Sequence, residues 1–414
     1  MSYIDDFSEV KRSTISLSQL DNEKKNQILT VFAEKLASNV DFLIKENLKD
    51  ISAAKQMGIP EQMIDRLTLD KERIQAIADA ILDVVKLNDP VGRVLEERTL
   101  SNGVDLQKVS VPLGVIGIIY EARPNVTADS IALCIKSGNA CILKGGKEAI
   151  YSNTAIAEIF DDALITLGYD EKFVHLIKDT TRETTQLLMK AHEYVDVLIP
   201  RGGIGLIKYV VENSIIPVIE TGAGNCHAFV DESADFEMAV KIIDNAKTQR
   251  PSVCNSIETL LIHRSIADDF LPLISKHLTK KKVELRGCDL CVEILGKDLK
   301  KAEELDYYTE YNELILAIKI VDDVYEAVKH INKYSTSHSD VIITFSKTNG
   351  EYFLNNVDSA AVYMNASTRF TDGGVYGLGA EIGISTQKLH ARGPMGLDEL
   401  TSYKYILIGN GQIR

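Results

Sequence analysis

The stretch LGVIGIIYEARPNVTADSIALCIKSGNACILKGGKEA, residues 113–149, decides the fold of this chain. Residues 114–120 form a near-continuous apolar run, typical of a parallel-sheet strand that is buried on both faces. Residues 126–138 have the apolar spacing of a helix and end at Gly138, a residue that commonly terminates helices. A second apolar run follows at residues 140–144. The stretch therefore predicts a strand–helix–strand unit of a parallel α/β sheet.

The same alternation of apolar runs and helical spacing continues along most of the chain. It extends from residue 114 to a predicted strand at 216–220, and a second run of alternating segments occupies residues 226–364. The sequence Gly-Ala-Gly-Asn-Cys at residues 222–226 separates the two runs and suits a hinge. We therefore expect fold class α/β, with two doubly wound domains.

The two ends of the chain have a different pattern. Residues 17–87 have the three-to-four spacing of helices. Asn102-Gly103 is a strong hairpin signal and predicts a β ribbon at about 95–112. Residues 401–414 indicate a terminal strand, which we expect to pair with that ribbon. The expected domains are residues 1–225, interrupted by the ribbon, residues 226–364, and a return segment with its terminal strand at 365–414.

Composition excludes several functional classes. The 414 residues carry 46 Lys and Arg against 60 Asp and Glu, a net charge of −14, which argues against nucleic-acid binding. The longest apolar run, residues 113–120, is far below the roughly 20 residues that span a bilayer. The N-terminus has acidic residues where a signal peptide would have basic and then apolar ones. We therefore expect a cytoplasmic protein with no membrane partner.

Six cysteines are too few for a disulfide framework, and one of them is a candidate nucleophile. Cys254 lies in the polar loop QRPSVCNS, where packing does not explain a thiol. Cys226 beside His227 is a rival pair, although adjacent strand residues point to opposite faces. The pair Cys288-x-x-Cys291 is half of a zinc motif, and no second half follows. We therefore expect no metal site.

Other polar residues follow or precede predicted strands. Lys144-Gly145-Gly146-Lys147 suits an anionic ligand, and a solvated turn is an equally good interpretation. Asn125 either caps the following helix or donates its amide to a developing oxyanion. Glu220 and Glu313 are placed for acid–base or ligand contacts, or are ordinary surface carboxylates. A complete dinucleotide fingerprint is absent, since Gly202-Gly203-Ile204-Gly205 lacks its third glycine.

These segments occur in an order that resembles the aldehyde dehydrogenase superfamily. The resemblance rests on residues 113–149, IPRGG at 199–203, VIETGAGNCHAFVD at 218–231 and the Cys254 loop. EARPNVT at 121–127, RPSVCNSIETLLIH at 250–263 and the long stretch 364–414 are similar to the branch of that superfamily that reduces glutamyl phosphate. The likeness runs from about Leu17 to Arg414.

The resemblance implies both the architecture and the reaction. It implies an aldehyde-dehydrogenase-like fold, with an NADP-binding domain at 1–225, a catalytic domain at 226–364 and a small β element for oligomerisation. The implied reaction is the NADPH-dependent reduction of L-glutamyl 5-phosphate to L-glutamate 5-semialdehyde and phosphate, the second step of proline biosynthesis. The implied partners are this substrate, further copies of the chain in a homo-oligomer, and glutamate 5-kinase, which would hand over the substrate.

The resemblance also assigns roles to residues. Cys254 would form a thioester, and its backbone N–H and the Asn125 side chain would hold the oxyanion. Lys144 and Lys147 would bind the adenosine ribose and 2′-phosphate of the cofactor. Gly203 would lie at its pyrophosphate and Glu313 at its nicotinamide ribose. These assignments complete the expected site.

Further residues have less defined roles. Glu220 matches the general base of hydrolytic members of the superfamily, a base that a reductase does not need. Arg250 is the cation nearest in sequence to the Cys254 thiol, and Arg123 and Arg392 are candidates for the substrate carboxylate.

Two other functions are compatible with these residues. One is a hydrolytic aldehyde dehydrogenase that makes a free acid, for which Cys254 and Glu220 would suffice. The other is a non-catalytic protein that has kept the fold, because fold does not determine function. The long C-terminal similarity argues against the first, and the joint presence of Cys254, Asn125 and the lysine pair argues against the second.

Overall fold

The structure is a computed structural model that describes residues 3–296 and 299–414. Its internal contacts divide the chain into two compact units. The first unit comprises Met1–Thr221, Gly377–Gly383 and Met395–Arg414, and the second comprises Gly222–Tyr376 and Ile384–Pro394. The domain boundaries predicted above remain a prediction. No helix within the described residues is long and apolar enough to cross a membrane.

Helices form the N-terminal part of the first unit. They are α1 (Tyr3–Ser18), α2 (Asn22–Ser38), α3 (Val40–Gln56), α4 (Glu61–Leu67) and α5 (Lys71–Lys86). Asp21 and Asp70 cap α2 and α5, since each side chain accepts an N–H from the first turn of its helix. The predicted helical character is confirmed, and α1 extends it to a segment for which no helix was predicted.

A four-stranded parallel sheet follows in the first unit, in the order β5-β4-β3-β6. Its strands and helices are β3 (Val115–Tyr120), α6 (Asn125–Lys136), β4 (Ala140–Gly145), α7 (Ile150–Thr166), β5 (Val174–Leu176), α8 (Arg182–Lys190), β6 (Val197–Arg201) and α9 (Ile204–Asn213). Every residue of β3 and β4 is buried, as the apolar runs predicted. Gly138 has φ +72°, a conformation that lets the chain turn sharply from α6 into β4. The predicted strand at 216–220 is wrong, because only an isolated bridge joins Val218 to Leu198.

The β ribbon is a separate three-stranded antiparallel sheet in the order β1-β2-β16. It consists of β1 (Val94–Thr99), β2 (Asp105–Pro112) and the C-terminal β16 (Thr401–Ile408). The expected pairing of the terminal strand with the ribbon is confirmed, since β16 pairs with β2 from Thr401 to Ile408. The turn at Asn102-Gly103 is longer than a two-residue hairpin, because pairing stops at Thr99 and Asp105.

The second unit contains a seven-stranded parallel sheet in the order β10-β9-β11-β8-β7-β12-β13. Its strands and helices are β7 (Cys226–Val230), α10 (Phe236–Thr248), β8 (Ile257–His263), α11 (Ala267–Lys280), β9 (Glu284–Gly287), α12 (Asp289–Leu295), β10 (Lys300–Lys301), β11 (Ile315–Val321), α13 (Val324–Tyr334), β12 (Ser339–Ile343), α14 (Lys347–Asn356) and β13 (Ala361–Met364). A short pair, β14 (Ile384–Ser385) and β15 (Gly393–Pro394), completes the unit.

Helices cover both faces of this second sheet. One hydrophobic core joins α10, α11 and α12 to one face, and another joins α13 and α14 to the opposite face. Burial on both faces explains the continuous apolar runs in β8 and β11. The predicted α/β class with parallel sheets is confirmed.

Candidate functional site

Four predicted site residues lie along one edge of the sheet in the first unit. Asn125, Lys147 and Gly203 follow the carboxyl ends of β3, β4 and β6, and Lys144 is the penultimate residue of β4. Because these three strands are parallel neighbours, their carboxyl ends meet at the same edge. Ligands of open α/β sheets bind at this edge.

Asn125 is the first residue of α6 and does not cap it, since Pro124 occupies the cap position. The interpretation of Asn125 as a helix cap is therefore wrong. Its side-chain Nδ2 instead donates to Asp129 Oδ2 at 2.9 Å. Burial raises the pKa of Asp129 to about 6, an effect that the Asn125 hydrogen bond and Arg201 oppose. An amide nitrogen carries two hydrogens, so the second N–H can serve another acceptor.

The two lysines of the Lys144–Lys147 segment differ in environment. Lys144 is buried, and its ammonium donates to the carbonyl oxygen of Gly145 at 3.3 Å. Burial lowers the pKa of Lys144, and Asp179 and Glu148 oppose that shift. Lys147 is exposed and begins a short 3₁₀ turn. The buried ammonium of Lys144 at the sheet edge is suited to binding an anionic ligand. The exposed Lys147 can contact an anionic group of that ligand that extends into solvent.

Gly203 provides a direct test of whether this edge fits the phosphates of a nicotinamide cofactor. Gly203 is the N-cap residue of α9, and its N–H donates to the carboxylate Oε2 of Glu121 at 2.8 Å. A Cβ at Gly202 would lie 2.6 Å from the same oxygen, so a side chain there would fill the space. The N–H therefore already holds an anionic oxygen, as a pyrophosphate would require. This contact fits a nicotinamide cofactor, the group that the family resemblance implies.

The other two predicted site residues lie in the second unit, at the edge of its sheet where the parallel strands begin. Cys254 precedes β8 and Glu313 precedes β11, and these strands are parallel neighbours. The loop before β11 contacts the start of β8, since Asn312 N–H donates to Oε1 of Glu258, the second residue of β8, at 3.2 Å. Glu313 itself is exposed. The structure thus brings the Cys254 and Glu313 segments together at the amino edge of this sheet.

The Cys254 loop packs tightly against the segment that enters β7. Gly224 N–H donates to Glu310 Oε1 at 2.8 Å, and a Cβ at Gly224 would lie 1.5 Å from the backbone oxygen of Cys254. The Sγ of Cys226 donates to that same oxygen at 3.1 Å. Only glycine fits at position 224, so this packing fixes the backbone of Cys254.

Arg369, which the sequence analysis did not single out, is the second cation at this loop. Its guanidinium donates to Gln249 Oε1 at 3.1 Å and to Asn255 Oδ1, on both sides of Cys254. Burial and the neighbouring Arg250 lower the pKa of Arg369, while Cys254 is among the groups that oppose the shift. Arg250 was the predicted cation, and the structure places both arginines within electrostatic range of one another. Two cations favour a thiolate in their vicinity.

A buried ion pair joins the two elements that flank the Cys254 loop. Lys247 Nζ and Glu258 Oε2 are 2.5 Å apart, and both side chains are fully buried. Burial raises the pKa of Glu258 and lowers that of Lys247. The pair connects the end of α10 to the start of β8 on either side of Cys254. The two residues are eleven positions apart and lie in different elements, a spacing that leaves no sequence signal.

The rival Cys226–His227 pair is unsuited to nucleophilic catalysis. Burial raises the pKa of the Cys226 thiol well above its usual value. The ring Nδ1 of His227 lies 3.1 Å from the carbonyl oxygen of Asn225, and burial lowers the pKa of this histidine to about 4. Among the described residues, no group of three or more His, Cys, Asp or Glu could hold a metal ion.

The structure also places Glu220 and Arg392, the candidate general base and one candidate for the substrate carboxylate. Glu220 is half-buried and lies between α9 and β7, outside any regular strand. Arg392 pairs with Asp358 at 2.9 Å, and Lys388 pairs with the same carboxylate at 2.6 Å. One carboxylate therefore faces two cations, and Arg392 stays a candidate for the substrate carboxylate.

Comparisons with known proteins agree with this geometry. The profile of the aldehyde dehydrogenase family matches residues 11–289. The chain is 52% identical over 414 residues to the gamma-glutamyl phosphate reductase of Caldicellulosiruptor bescii, covering 99% of each chain. It is 54% identical over 406 residues to the protein of the same name from Clostridium perfringens, covering 98% of each.

A solved structure shows the same similarity. The crystal structure of gamma-glutamyl phosphate reductase from Thermotoga maritima superimposes with a TM-score of 0.96 at 46% identity, and the match covers 99% of this chain and 98% of the other. Similarity of this extent identifies the family. The chain therefore belongs to the aldehyde dehydrogenase family and, within it, to the gamma-glutamyl phosphate reductases.

Proposed function

We propose that this oxidoreductase reduces L-glutamyl 5-phosphate to L-glutamate 5-semialdehyde and phosphate with NADPH, in the biosynthesis of proline. The observation that carries the proposal is the similarity of more than 50% identity along 98–99% of the chain to proteins named for this reaction. A thiol on a tightly packed loop beside two arginines supports it, because acyl transfer from a phosphate needs a nucleophile and positive charge.

In the proposed mechanism, Cys254 performs the covalent step. Its thiolate attacks the acyl carbon, a C–S bond forms, the bond from carbon to the phosphate oxygen breaks, and phosphate leaves with the electron pair. An ordinary thiol with a pKa near 8.5 is only a few per cent ionised at neutral pH. Arg250 and Arg369 stabilise the thiolate and the departing anion. The acyl phosphate is already activated, so the chain needs no site for a nucleoside triphosphate.

Hydrogen-bond donors stabilise the oxyanion of each tetrahedral intermediate. The backbone N–H of Cys254 is one proposed donor, and the packing of Gly224 against this residue holds it in place. The side-chain amide of Asn125 is the second, and Asp129 orients it by accepting one of its two N–H groups. Fixed donors of this kind act without reorganisation during the reaction.

Four residues are proposed to hold the cofactor. Lys144 and Lys147 bind the adenosine ribose and its 2′-phosphate, the N–H of Gly203 binds the pyrophosphate in place of Glu121, and Glu313 accepts from the nicotinamide ribose. Bound there, the reduced nicotinamide would supply the hydride that converts the thioester to the aldehyde. Glu220 has no required role in this direction, because water takes no part in the reduction.

The three-stranded sheet supports a proposed homo-oligomer. The strand β16 lies at one edge of this sheet and exposes Tyr403, Tyr405 and Leu407. An exposed apolar edge of this kind is a template for pairing with another chain. Handover of the unstable acyl phosphate from glutamate 5-kinase stays a prediction.

The reverse reaction tests the proposed function. Purified protein is given glutamate 5-semialdehyde and NADP⁺, and formation of NADPH is followed by absorbance with and without inorganic phosphate. We expect turnover that requires phosphate, since phosphate must discharge the thioester. Equal rates without phosphate would instead identify a hydrolytic aldehyde dehydrogenase and give Glu220 a catalytic role.

The Cys254→Ser variant is the matched control. It should keep the thermal unfolding midpoint of the parent and lose turnover under both conditions. Unchanged turnover would refute Cys254 as the nucleophile, and a folded parent protein that is inactive in both assays would favour the non-catalytic alternative.

A further inference from the structure

Cys288 and Cys291 form a close pair of thiols that the proposed reaction does not use. Their Sγ atoms are 3.5 Å apart. Cys288 directly follows the carboxyl end of β9, whereas Cys254 precedes the amino end of the parallel strand β8. The pair therefore belongs to a different part of the second unit from the proposed nucleophile.

The two thiols differ in access to solvent. Of the six cysteines, only Cys254 and Cys288 are partly exposed, and Cys291 is fully buried in the core beneath α11. Cys291 fits there because position 287 is glycine, where a Cβ would lie 2.6 Å from the Cβ of Cys291. A partly exposed cysteine with a buried cysteine beside it is the arrangement of an attacking and a resolving thiol.

The two thiols also differ in pKa. The hydrogen bond from Cys291 lowers the pKa of the Cys288 thiol to about 6, and backbone groups, including that of Leu290, add to the shift. The same hydrogen bond and burial raise the pKa of Cys291. Of the two thiols, Cys288 therefore ionises more readily, and Cys291 keeps its proton to higher pH. The spacing Cys-x-x-Cys brings two sulfurs within reach of a disulfide in many redox proteins.

We propose that Cys288 and Cys291 form a redox-active dithiol that reacts with low-molecular-weight disulfides by thiol–disulfide exchange. The inference is independent of the reductase activity. It rests on the sulfur–sulfur distance, the partial exposure of Cys288 and the burial of Cys291.

The exchange is balanced in two steps. The Cys288 thiolate attacks one sulfur of the small disulfide, an S–S bond forms to Cys288, and the first small thiolate leaves with the electron pair. Cys291 then loses its proton and attacks the Cys288 sulfur, which expels the second small thiolate. The protein dithiol is oxidised by two electrons, and the small disulfide is reduced to two thiolates. One of these takes up the proton that Cys291 loses, and the other takes up a proton from solvent, to which Cys288 lost its own proton on ionising.

Peptide mapping of the full-length protein tests this proposal. The reduced protein is incubated with glutathione disulfide, quenched with N-ethylmaleimide and digested with trypsin. Both cysteines lie in one expected tryptic peptide, GCDLCVEILGK at residues 287–297, so an internal disulfide lowers its mass by two hydrogens and blocks alkylation. We expect this product to form at least about tenfold faster than any modification of Cys134 or Cys141, which are buried.

Single variants separate the two roles. Cys291→Ser should accumulate a stable mixed disulfide of glutathione at Cys288, and Cys288→Ser should leave Cys291 reduced. The proposal is overturned if Cys288 of the parent remains open to alkylation after incubation, or if the parent keeps the mixed disulfide with Cys291 free. Because the parent alone gives a decisive result, misfolding of a variant does not protect the proposal.

Discussion

Replacing Gly224 by alanine should displace the proposed nucleophile. The added Cβ would lie 1.5 Å from the backbone oxygen of Cys254 and 2.2 Å from its carbonyl carbon. Ordinary contacts of a Cβ begin at 3.4 Å, so the two segments must separate by about 2 Å. Both obstacles are backbone atoms, which cannot rotate away as a side chain would.

The expected loss of activity follows from this displacement. Misplacement of a reacting group by about 1 Å can lower the rate about 10²-fold. We therefore expect Gly224→Ala to lower kcat/KM at least about 10²-fold, which corresponds to about 2.7 kcal/mol of lost transition-state stabilisation. Overpacking of this kind lowers the free energy of unfolding by about 1–3 kcal/mol, which leaves a folded protein.

The assay is the phosphate-dependent formation of NADPH, with thermal unfolding of the same samples. Gly205→Ala is the matched control for stability, because nothing lies within 4 Å of a Cβ at this position in α9. That variant should unfold at or above the temperature of the parent, since alanine favours a helix. The reasoning is refuted if Gly224→Ala folds and keeps kcat/KM within about threefold of the parent.

Six further substitutions, at five positions, test the oxyanion donors, the cofactor contact and two buried groups. Asn125→Ala should lower kcat at saturating substrate about 10²–10³-fold, because it removes an oxyanion donor. Asp129→Leu should lower kcat about tenfold, because it removes the group that orients Asn125, whereas Asp129→Asn should retain most activity. Lys144→Met should raise KM for NADPH about tenfold with kcat little changed, and an equal rise for NADH would contradict a contact with the 2′-phosphate. Lys247→Met leaves a buried carboxylate unpaired and should lower the free energy of unfolding by about 3–5 kcal/mol in urea titrations, so a change below 1 kcal/mol would contradict the role of that pair. Burial lowers the pKa of His330 to about 2, so the unfolded state binds more protons than the folded state, and the free energy of unfolding falls as the pH drops below about 6.5. His330→Phe should remove up to about 2 kcal/mol of the stability that the parent loses between pH 7 and pH 5. An unchanged dependence of the free energy of unfolding on pH would contradict this role of His330.

Continuous apolar runs made the parallel sheets predictable, because strands covered on both faces need apolar side chains at every position. This is why β3, β4 and β8 were found from the sequence. The segment 216–220 has the same composition but forms no strand. A proline at position 217 lacks the N–H that a strand ladder needs.

The sequence of helix α1 contains apolar residues at helical spacing, although no helix was predicted for this segment. Phe7, Val10 and Leu17 are buried at helical spacing, although acidic and basic residues surround them. Its first turn carries two aspartates, which stabilise the start of a helix. A polar N-terminal segment can therefore be a regular helix when one narrow face is apolar.

The candidate site was predictable where a residue adjoins a strand end. Parallel strands deliver their ends to a common edge, so Asn125, Lys144 and Gly203 could be grouped before any coordinates. Arg369 could not be found in this way, because more than a hundred residues separate it from the loop it binds. Contacts at that separation depend on tertiary packing and not on local pattern.

A single-turnover measurement can show whether Cys254 carries the acyl group. Enzyme is mixed rapidly with glutamate 5-semialdehyde and NADP⁺ in buffer without phosphate, and NADPH is followed by absorbance before acid quenching and peptide mass spectrometry. We expect a burst of about one NADPH per active site, with the glutamyl group attached to Cys254, and release of that group when phosphate is added. Continued turnover without phosphate, or an acyl group on any other residue, would rule out Cys254 as the carrier.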